Sequence, residues 1–192
     1  MARDDMTCAR PPAALDEPGV SLVGKVDAAM VEKLRDGLAA AEPEGDLAIE
    51  LTTSGGDAEL GRRMALDVER AARRRRGRLL FLGKTEIYSA GVTVMAAFPR
   101  EHRFLTDDAV MLIHCRKLEQ VVTLSGPIRT SLPLLDGLRQ QIELGLALER
   151  QIFERLVASS DISLEELSGR ALCDWYLTAD EALRRGLVAR VV

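Results

Sequence analysis

The residue best suited to nucleophilic chemistry is Ser89, which lies between two apolar stretches of the chain. The first stretch, at residues 79–82, predicts a buried strand, and the second, at residues 90–97, predicts the start of a buried helix. A hydroxyl where a helix begins lies close to free backbone N–H groups and to the positive end of the helix dipole, which stabilise a developing oxyanion. Serine is also a preferred N-cap residue, so the alternative that Ser89 only caps the helix stays open.

A nucleophilic serine needs a general base, and the chain offers two histidines, His102 and His114. His114 follows the apolar run at residues 110–113, which predicts a buried strand, so we expect its ring at the carboxyl end of that strand. Ligands of open α/β sheets collect at such ends. His102 lies among charged residues and is expected in a solvated loop. His114 is therefore the candidate base, and a structural histidine is the alternative.

A third group must orient the base, and Asp174 is the carboxylate whose surroundings suit that role. It follows an amphipathic segment and precedes two aromatic residues, which we expect to shield it partly from water. Asp107 and Asp108 precede the strand that ends at His114, so we expect them near its opposite end. The alternative for Asp174 is an ordinary surface carboxylate.

Two backbone amides are candidates for an oxyanion hole. The sequence Thr-Ser-Gly-Gly-Asp at residues 53–57 follows a strand-like run at residues 47–51 and precedes a predicted helix. Paired glycines allow unusual dihedrals and close backbone approach, so the N–H of Gly56 can face an oxyanion. The second donor would be the N–H of Ala90, directly after the serine. A plain strand-to-helix connection is the alternative for the glycine turn.

The elements that must position these groups alternate between strands and helices. A strand is predicted from Val20, Asp27 can cap a helix that ends before Pro43, and apolar residues recur at helical spacing after the glycine turn. Short turns between such elements predict an α/β fold with a parallel sheet and right-handed crossovers. Capping boxes beginning at Ser163 and Thr178 predict two more helices near the end of the chain.

These motifs, in this order, resemble the proteolytic subunit of the Clp protease. The resemblance is carried by residues 53–57, by Ser89 followed by Ala-Gly, by Met-Leu-Ile-His ending at His114, by Asp174 before Tyr-Leu-Thr-Ala, and by Glu-Ala-Leu-Arg-Arg-Gly-Leu-Val at residues 181–188. It implies that Ser89 is the nucleophile, His114 the base and Asp174 the orienting carboxylate. The hydrolase it implies is a serine endopeptidase that cleaves peptides or unfolded proteins through an acyl-enzyme, without a metal or an organic cofactor.

The resemblance also implies a Clp/crotonase-like fold of repeated β-β-α crossovers, with a strand-helix handle after His114. Residues 115–124 are polar and β-leaning, and the helix predicted after them carries apolar residues at Leu135, Ile142 and Leu146. In the family the handle joins subunits and rings, so we expect a homo-oligomer of one ring or of stacked rings. An ordinary core helix is the alternative. The family's partner is an AAA+ unfoldase, but its amino-terminal axial loops are not recognisable in this sequence.

Composition excludes several classes of protein. At 192 residues with 47% hydrophobic content, the chain is long enough for one domain with a substantial core. Its net charge of −4 gives no general attraction to nucleic acid or to a membrane surface. No apolar run approaches the roughly 18 residues that span a bilayer. We expect a flexible segment at residues 1–19 without a signal sequence, a single catalytic domain at residues 20–192, and a cytoplasmic location.

Cysteines and arginines receive structural interpretations. Cys8, Cys115 and Cys173 have neither the spacing of metal ligands nor that of a disulfide framework. Cys115 adjoins His114, but neighbouring strand residues face opposite sides, so packing is its expected role. The arginine-rich run at residues 73–78 is interpreted as a solvated helix end, with nucleic-acid binding as the alternative.

The sequence departs from the family pattern close to the candidate site. Ser54 stands where the family usually has proline, the bulky Tyr88 precedes the serine, and Cys115 and Arg116 replace the usual residues after the histidine. The segment between the histidine and the aspartate is also longer than usual. Two alternatives to a peptidase therefore stay open: a crotonase-like acyl-coenzyme A enzyme, and a non-catalytic ring or scaffold subunit.

Overall fold

A computed structural model describes residues 10–192 of the chain. Seven strands and six α-helices are found in this range, and no helix in it is both long and apolar enough to cross a membrane. The elements in chain order are β1 (Val20–Val23), α1 (Ala28–Ala40), β2 (Leu47–Thr53), α2 (Ala58–Arg74), β3 (Leu79–Tyr88), α3 (Ala90–Met95), β4 (Arg103–Leu105), β5 (Val110–Ile113), α4 (Ser131–Val157), α5 (Leu164–Ala171), β6 (Trp175–Thr178), α6 (Ala179–Arg184) and β7 (Arg190–Val191).

The strands form one sheet. β1, β2, β3, β4 and β7 lie side by side in this order, and every pair among them is parallel. β5 pairs in parallel with the last part of β3, and β6 pairs antiparallel with β5. Parallel neighbours need crossover connections, which α1 and α2 supply between the first three strands. The predicted α/β fold with a parallel sheet is confirmed.

Strand β3 is longer than the sequence pattern predicts. It continues through the polar residues 84–86 to Tyr88 instead of ending at residue 82. Its register with β2 shifts opposite Leu51 and Thr53, and Thr85 has a φ of 58° within this bulge. Before the bulge β3 pairs with β4, and after it β3 pairs with β5. The bulge therefore divides the sheet into two branches.

The main core lies between the sheet and the helices on one of its faces. Along β3, Phe81 belongs to this large core, whereas Leu80 belongs to a smaller cluster on the other face. Leu15, in the short 3-10 helix Ala13–Leu15, is buried in that smaller cluster. The packed part of the chain therefore begins before residue 20, the predicted start of the domain. Residues 1–9 of the predicted flexible segment lie outside the described residues, and the domain boundary stays a prediction.

Side-chain caps fix where four helices begin. Asp27, Asp57, Ser163 and Thr178 each accept a hydrogen bond from a backbone N–H in the first turn of the following helix, at 2.8 to 3.2 Å. Such caps satisfy amide donors that have no partner within the helix. The helix starts predicted at Asp27, Ser163 and Thr178 are confirmed, and the cap at Asp57 places α2 directly after the glycine turn.

Side chains of the arginine-rich run bind the loop before β2 at the end of α2. Arg75 donates to backbone carbonyl oxygens of this loop, and Arg76 and Arg78 pair with its carboxylates Glu44 and Asp46. The hydrogen bond from Arg78 lowers the pKa of Asp46 below its ordinary value. These contacts favour the structural interpretation of the run over nucleic-acid binding.

The segment after His114 differs from the expected handle. Residues 114–127 contain no strand, because no other strand of the described residues lies alongside to accept their backbone hydrogen bonds. Helix α4 is present and is 27 residues long. Phe153 and Leu156, near its carboxyl end, are buried in the core, whereas Leu132, near its other end, is 69% exposed. Much of α4 therefore projects from the domain.

A buried arginine joins three parts of the core. The Arg103 guanidinium donates hydrogen bonds of 2.8 to 3.2 Å to the carbonyl oxygens of Phe98, Leu156 and Leu187. These acceptors follow α3, lie at the end of α4 and precede β7. Burial lowers the pKa of Arg103 to about 10. Carbonyl dipoles stabilise this cation, and the side chain in turn satisfies buried acceptors from distant parts of the chain.

Replacing Arg103 with alanine should lower the free energy of unfolding by about 3 kcal/mol or more, because several buried carbonyl oxygens lose their donor. Urea unfolding followed by circular dichroism measures this change. Arg139→Ala is the control, since that side chain on α4 is 62% exposed, and we expect an effect below about 0.5 kcal/mol. Equal effects of the two substitutions would contradict a structural role for Arg103.

Candidate active site

Ser89 occupies a strained turn between β3 and α3. Its φ of 54° and ψ of −109° form a combination that residues with a side chain rarely adopt, at a cost of about 1–3 kcal/mol. Its N–H donates to the carbonyl oxygen of Leu112 in β5 at 2.9 Å. Its hydroxyl makes no capping hydrogen bond with α3. Capping therefore does not account for a serine here, and backbone strain of this kind is typical of functional sites.

The glycine turn packs directly against Ser89. A Cβ atom at Gly55 would lie 2.9 Å from the Cβ and 3.5 Å from the hydroxyl oxygen of Ser89, so a larger residue would collide with the serine. Two hydrogen bonds of 2.9 Å hold the turn in place, from the N–H of Val26 to the Gly55 carbonyl and from the N–H of Asp57 to the Val26 carbonyl. The turn is thus fixed beside the hydroxyl.

The two predicted oxyanion donors lie at the same cavity. Gly56 and Ala90 both line the cavity that contains Ser89. Neither N–H donates a hydrogen bond to any other group in residues 10–192. Gly56 has a φ of 153°, in a region that glycine adopts readily. Free, preorganised amides next to a hydroxyl are the groups that stabilise a tetrahedral oxyanion.

Ser89 and His114 line one cavity of about 410 Å³, with an apolar wall formed by Ile113, Ile152 and Phe153. This volume lies within the range of small-molecule and peptide side-chain sites. The structure therefore brings together four of the five predicted site residues, which come from three separate turns. Helix α4 supplies Ile152 and Phe153 of this wall from its carboxyl-terminal half, and β5 supplies Ile113.

The hydrogen bond of His114 determines its tautomer. Its Nδ1 lies 2.6 Å from the backbone carbonyl oxygen of Cys115. A carbonyl can only accept, so Nδ1 carries the proton and Nε2 is left with a free lone pair. Within residues 10–192 no hydrogen bond joins His114 to Ser89. The imidazole is thus in the tautomer that a general base needs, although it makes no direct bond to the serine.

Asp174 lies outside the lining of this cavity. Its side chain is 48% exposed, its Oδ1 lies 3.9 Å from the Nζ of Lys117, and its φ is 53°. Of the aromatic pair after it, Trp175 is buried and Tyr176 is exposed, so about half of the Asp174 side chain remains accessible to solvent. In the described residues the partner of the His114 Nδ1 is the Cys115 carbonyl and not the Asp174 carboxylate.

The other candidate carboxylates and the second histidine lie where the sequence predicts. Asp108 accepts a hydrogen bond of 2.6 Å from the Thr106 hydroxyl, ahead of β5 and so at the opposite end of that strand from His114. His102 belongs to the short 3-10 helix Arg100–His102 before β4. Neither residue lines the cavity.

A ring contact connects the neighbours of Ser89 and Asp174. Tyr88 and Tyr176 pack edge to face, with ring centroids 5.9 Å apart and planes at 88°. Both residues pair with Leu112 in the sheet, on β3 and β6 respectively. Such aromatic pairs contribute about 0.5–1.5 kcal/mol beyond their burial. The bulky Tyr88 before the serine therefore has a partner that holds β6 next to the site.

Sequence reasoning missed the charged lining of the cavity. Glu149 of α4 accepts a hydrogen bond from the backbone N–H of Arg116, and Arg116, Lys117 and Glu149 all line the cavity. No local spacing could have revealed this, because α4 reaches the site only through tertiary packing. Within residues 10–192 no group of three or more histidine, cysteine or acidic side chains is arranged to hold a metal ion.

Cys115 is a poor candidate nucleophile although it lines the cavity. Burial raises the pKa of its thiol above the ordinary value, and the carboxylates of Glu149 and Asp174 raise the pKa further. A thiol with a raised pKa contains little reactive thiolate near neutral pH. Packing is therefore favoured as the role of this side chain.

In a Cys8→Ser protein, Cys115 should react with iodoacetamide several-fold more slowly than the exposed Cys173 at pH 8. Its rate should also rise at a higher pH than that of a cysteine in a short unstructured peptide, because burial raises the pKa of its thiol. Mass spectrometry of the labelled peptides gives both rates. Faster labelling of Cys115 would show an activated thiol and would reopen a cysteine nucleophile.

Comparison with known proteins identifies the fold and the family. No curated protein matches the chain by sequence. Among solved structures, a ClpP1 mutant from Listeria monocytogenes is similar, with a TM-score of 0.69 and 18% identity over 91% of this chain and 91% of that chain. This likeness shows the Clp/crotonase-like fold. The family described as Clp protease matches residues 8–192, so the chain belongs to the Clp protease family.

Proposed function

We propose that this protein is a serine endopeptidase that cleaves peptides or unfolded proteins through an acyl-enzyme on Ser89. The observation that carries the proposal is the strained turn at Ser89, whose uncapped hydroxyl shares a cavity with His114 and with two amides free of partners. A helix cap or a structural loop would not need this combination. Membership of the Clp protease family supports the same reaction class.

The reaction follows from the placement of these groups. The Ser89 hydroxyl oxygen attacks the carbonyl carbon of a peptide bond while the Nε2 of His114 takes its proton. Negative charge develops on the carbonyl oxygen and is stabilised by the N–H groups of Gly56 and Ala90. The imidazolium then gives its proton to the leaving amine. Water, deprotonated by the same base, hydrolyses the ester and restores the serine.

Asp174 completes the proposal as the group that stabilises the imidazolium. Its carboxylate is close enough to the Cys115 thiol to raise the pKa of that thiol. A carboxylate stabilises a cationic imidazole more strongly than a neutral carbonyl does. Catalysis by a full Ser-His-Asp triad therefore requires a local rearrangement of residues 114–117 that exchanges the Cys115 carbonyl for the Asp174 carboxylate at Nδ1.

A fluorophosphonate probe tests the nucleophile directly. We expect labelling of the wild-type protein, no labelling of Ser89→Ala, and unchanged labelling of the control Ser54→Ala, which removes another serine of the same cavity. Mass spectrometry of the labelled peptide identifies the site. A folded wild-type protein that takes up no probe would contradict the peptidase and favour a crotonase-like enzyme or a scaffold subunit.

Variants of His114 and Asp174 test the roles of the base and of the carboxylate separately. His114→Ala should lower the labelling rate by roughly a thousandfold, and Asp174→Asn should lower kcat/KM for short fluorogenic peptides by at least about tenfold. If Asp174→Asn is as active as the wild type while His114→Ala is not, the Cys115 carbonyl is a sufficient partner for the Nδ1 of His114. The proposed role of Asp174 is then wrong.

We also propose that the protein works as a homo-oligomer joined through α4. The side chains of Leu132, Leu135, Ile142 and Leu146 are exposed and follow one stripe of this helix. Exposed apolar stripes of this kind are typical of interaction surfaces. Use of an unfoldase partner and a cytoplasmic location stay predictions from the sequence.

Light scattering coupled to size exclusion tests the assembly. The wild-type protein should elute as a multi-subunit particle, and Ile142→Glu should reduce its mass because a buried charge without a partner destabilises an interface. Gln140→Glu introduces the same charge on another face of α4 and should leave the mass unchanged. A monomeric wild-type protein would refute the proposed assembly.

A further inference from the structure

The cavity beside Ser89 contains a guanidinium with an unused donor. The side chain of Arg116 is 25% exposed, and its Nη2 donates to the Glu59 carboxylate. Its Nη1 is buried and has no hydrogen-bond partner in the described residues. Buried donors are almost always paired, so an unpaired one requires a physical explanation. A ligand that brings its own acceptor to the cavity would supply the missing bond.

From this orphan donor we infer that Arg116 forms a subsite for a carboxylate of the bound peptide. The inference rests on the proposed peptidase function. Guanidinium groups bind carboxylates through paired N–H donors, and such charge-assisted bonds are stronger than those to neutral acceptors. Arg116 already binds one carboxylate through its Nη2, and its buried Nη1 is the donor of the fork that has no acceptor in the described residues.

The charges around Arg116 favour an anionic ligand. Lys117 adds a second cation to the lining of the cavity, against the single carboxylate of Glu149. Glu149 already accepts a hydrogen bond from the backbone N–H of Arg116. Glu59 lies outside the lining, in the first turn of α2. Within the lining an incoming carboxylate therefore meets two cations and one anion, while Glu59 and Asp174 pair with these cations from outside the lining.

The position of the subsite connects it to the candidate reaction. Arg116 follows His114 by two residues, and Glu59 begins the helix that follows the glycine turn. A carboxylate bound at Arg116 would hold the peptide at the cavity that His114, Gly56 and Ala90 also line. The carboxylate can belong to an Asp or Glu side chain within the peptide or to a free carboxyl terminus, and the two sources are distinguishable by experiment.

Peptide binding to the full-length Ser89→Ala protein tests the subsite without any need for cleavage. Fluorescent octapeptides with blocked ends carry one Glu, moved through every position, and each has a matched peptide with Gln instead. We expect at least one position at which Glu improves the affinity by roughly tenfold, measured by fluorescence anisotropy. Affinities for Glu and Gln within about twofold at every position, for blocked peptides and for free carboxyl termini alike, would overturn the inference.

Three second-site variants assign the preference to Arg116. Adding Arg116→Gln to the Ser89→Ala protein should reduce the ratio of the affinities for the Glu and Gln peptides to about one. Adding the control Arg139→Gln, on α4, should leave this ratio unchanged. Arg116→Lys keeps the charge without the fork and should keep only part of the ratio, which separates recognition from misfolding. A preference for Glu that persists in Arg116→Gln would overturn the assignment.

Three further experiments identify the source of the carboxylate, test the competition from Glu59, and separate this inference from the proposed function. Peptides with a free carboxyl terminus are compared with their amides, so a preference confined to free termini assigns the subsite to that group. Glu59→Gln removes the competing carboxylate and should strengthen the preference. Probe labelling of Ser89 in wild-type and Arg116→Gln proteins reports the hydrolase independently, since a fluorophosphonate carries no carboxylate.

Discussion

One backbone hydrogen bond, from the N–H of Ser89 to the carbonyl oxygen of Leu112, couples the two halves of the candidate site. It continues the parallel pairing of β3 with β5 beyond Tyr88, so the serine and the histidine leave the sheet from neighbouring strands. That pairing exists only because β3 changes partner at its bulge. A straight β3 would continue along β4, and Ser89 would end on the wrong branch of the sheet. The bulge is therefore a functional feature of the strand.

The turn at Ser89 is strained, and several neighbours hold it in that state. The hydrogen bond to β5, the start of α3 and the close contact with Gly55 each restrict its backbone. A glycine at position 89 would relieve a strain of about 1–3 kcal/mol, which is a considerable part of the stability of a single domain. A serine at this position therefore has a cost in stability, which the proposed role of its uncapped hydroxyl as a nucleophile would explain.

Sequence patterns predicted what depends on local spacing. The parallel sheet, the caps and the common cavity of Ser89 and His114 follow from apolar periodicity and from the ends of buried strands. The continuation of β3 through polar residues was not predicted, because a bulge has no hydrophobic period. Arg103 was not singled out, because its acceptors come from distant parts of the chain. The strand expected at residues 115–124 needs a backbone partner that the described residues do not supply.

The free-energy contributions of the contacts indicate which of them determine the geometry of the site. The ion pair between Arg116 and Glu59 joins the segment after His114 to the helix after the glycine turn, but Glu59 is 56% exposed. Exposed ion pairs contribute only about 0–1 kcal/mol, and salt weakens them further. The sheet register and the packing of Gly55 against Ser89 involve buried groups, whose disruption costs several times more. The positions of Ser89 and of the two candidate oxyanion donors are therefore set by the core, and the charged residues around the cavity contribute little to that placement.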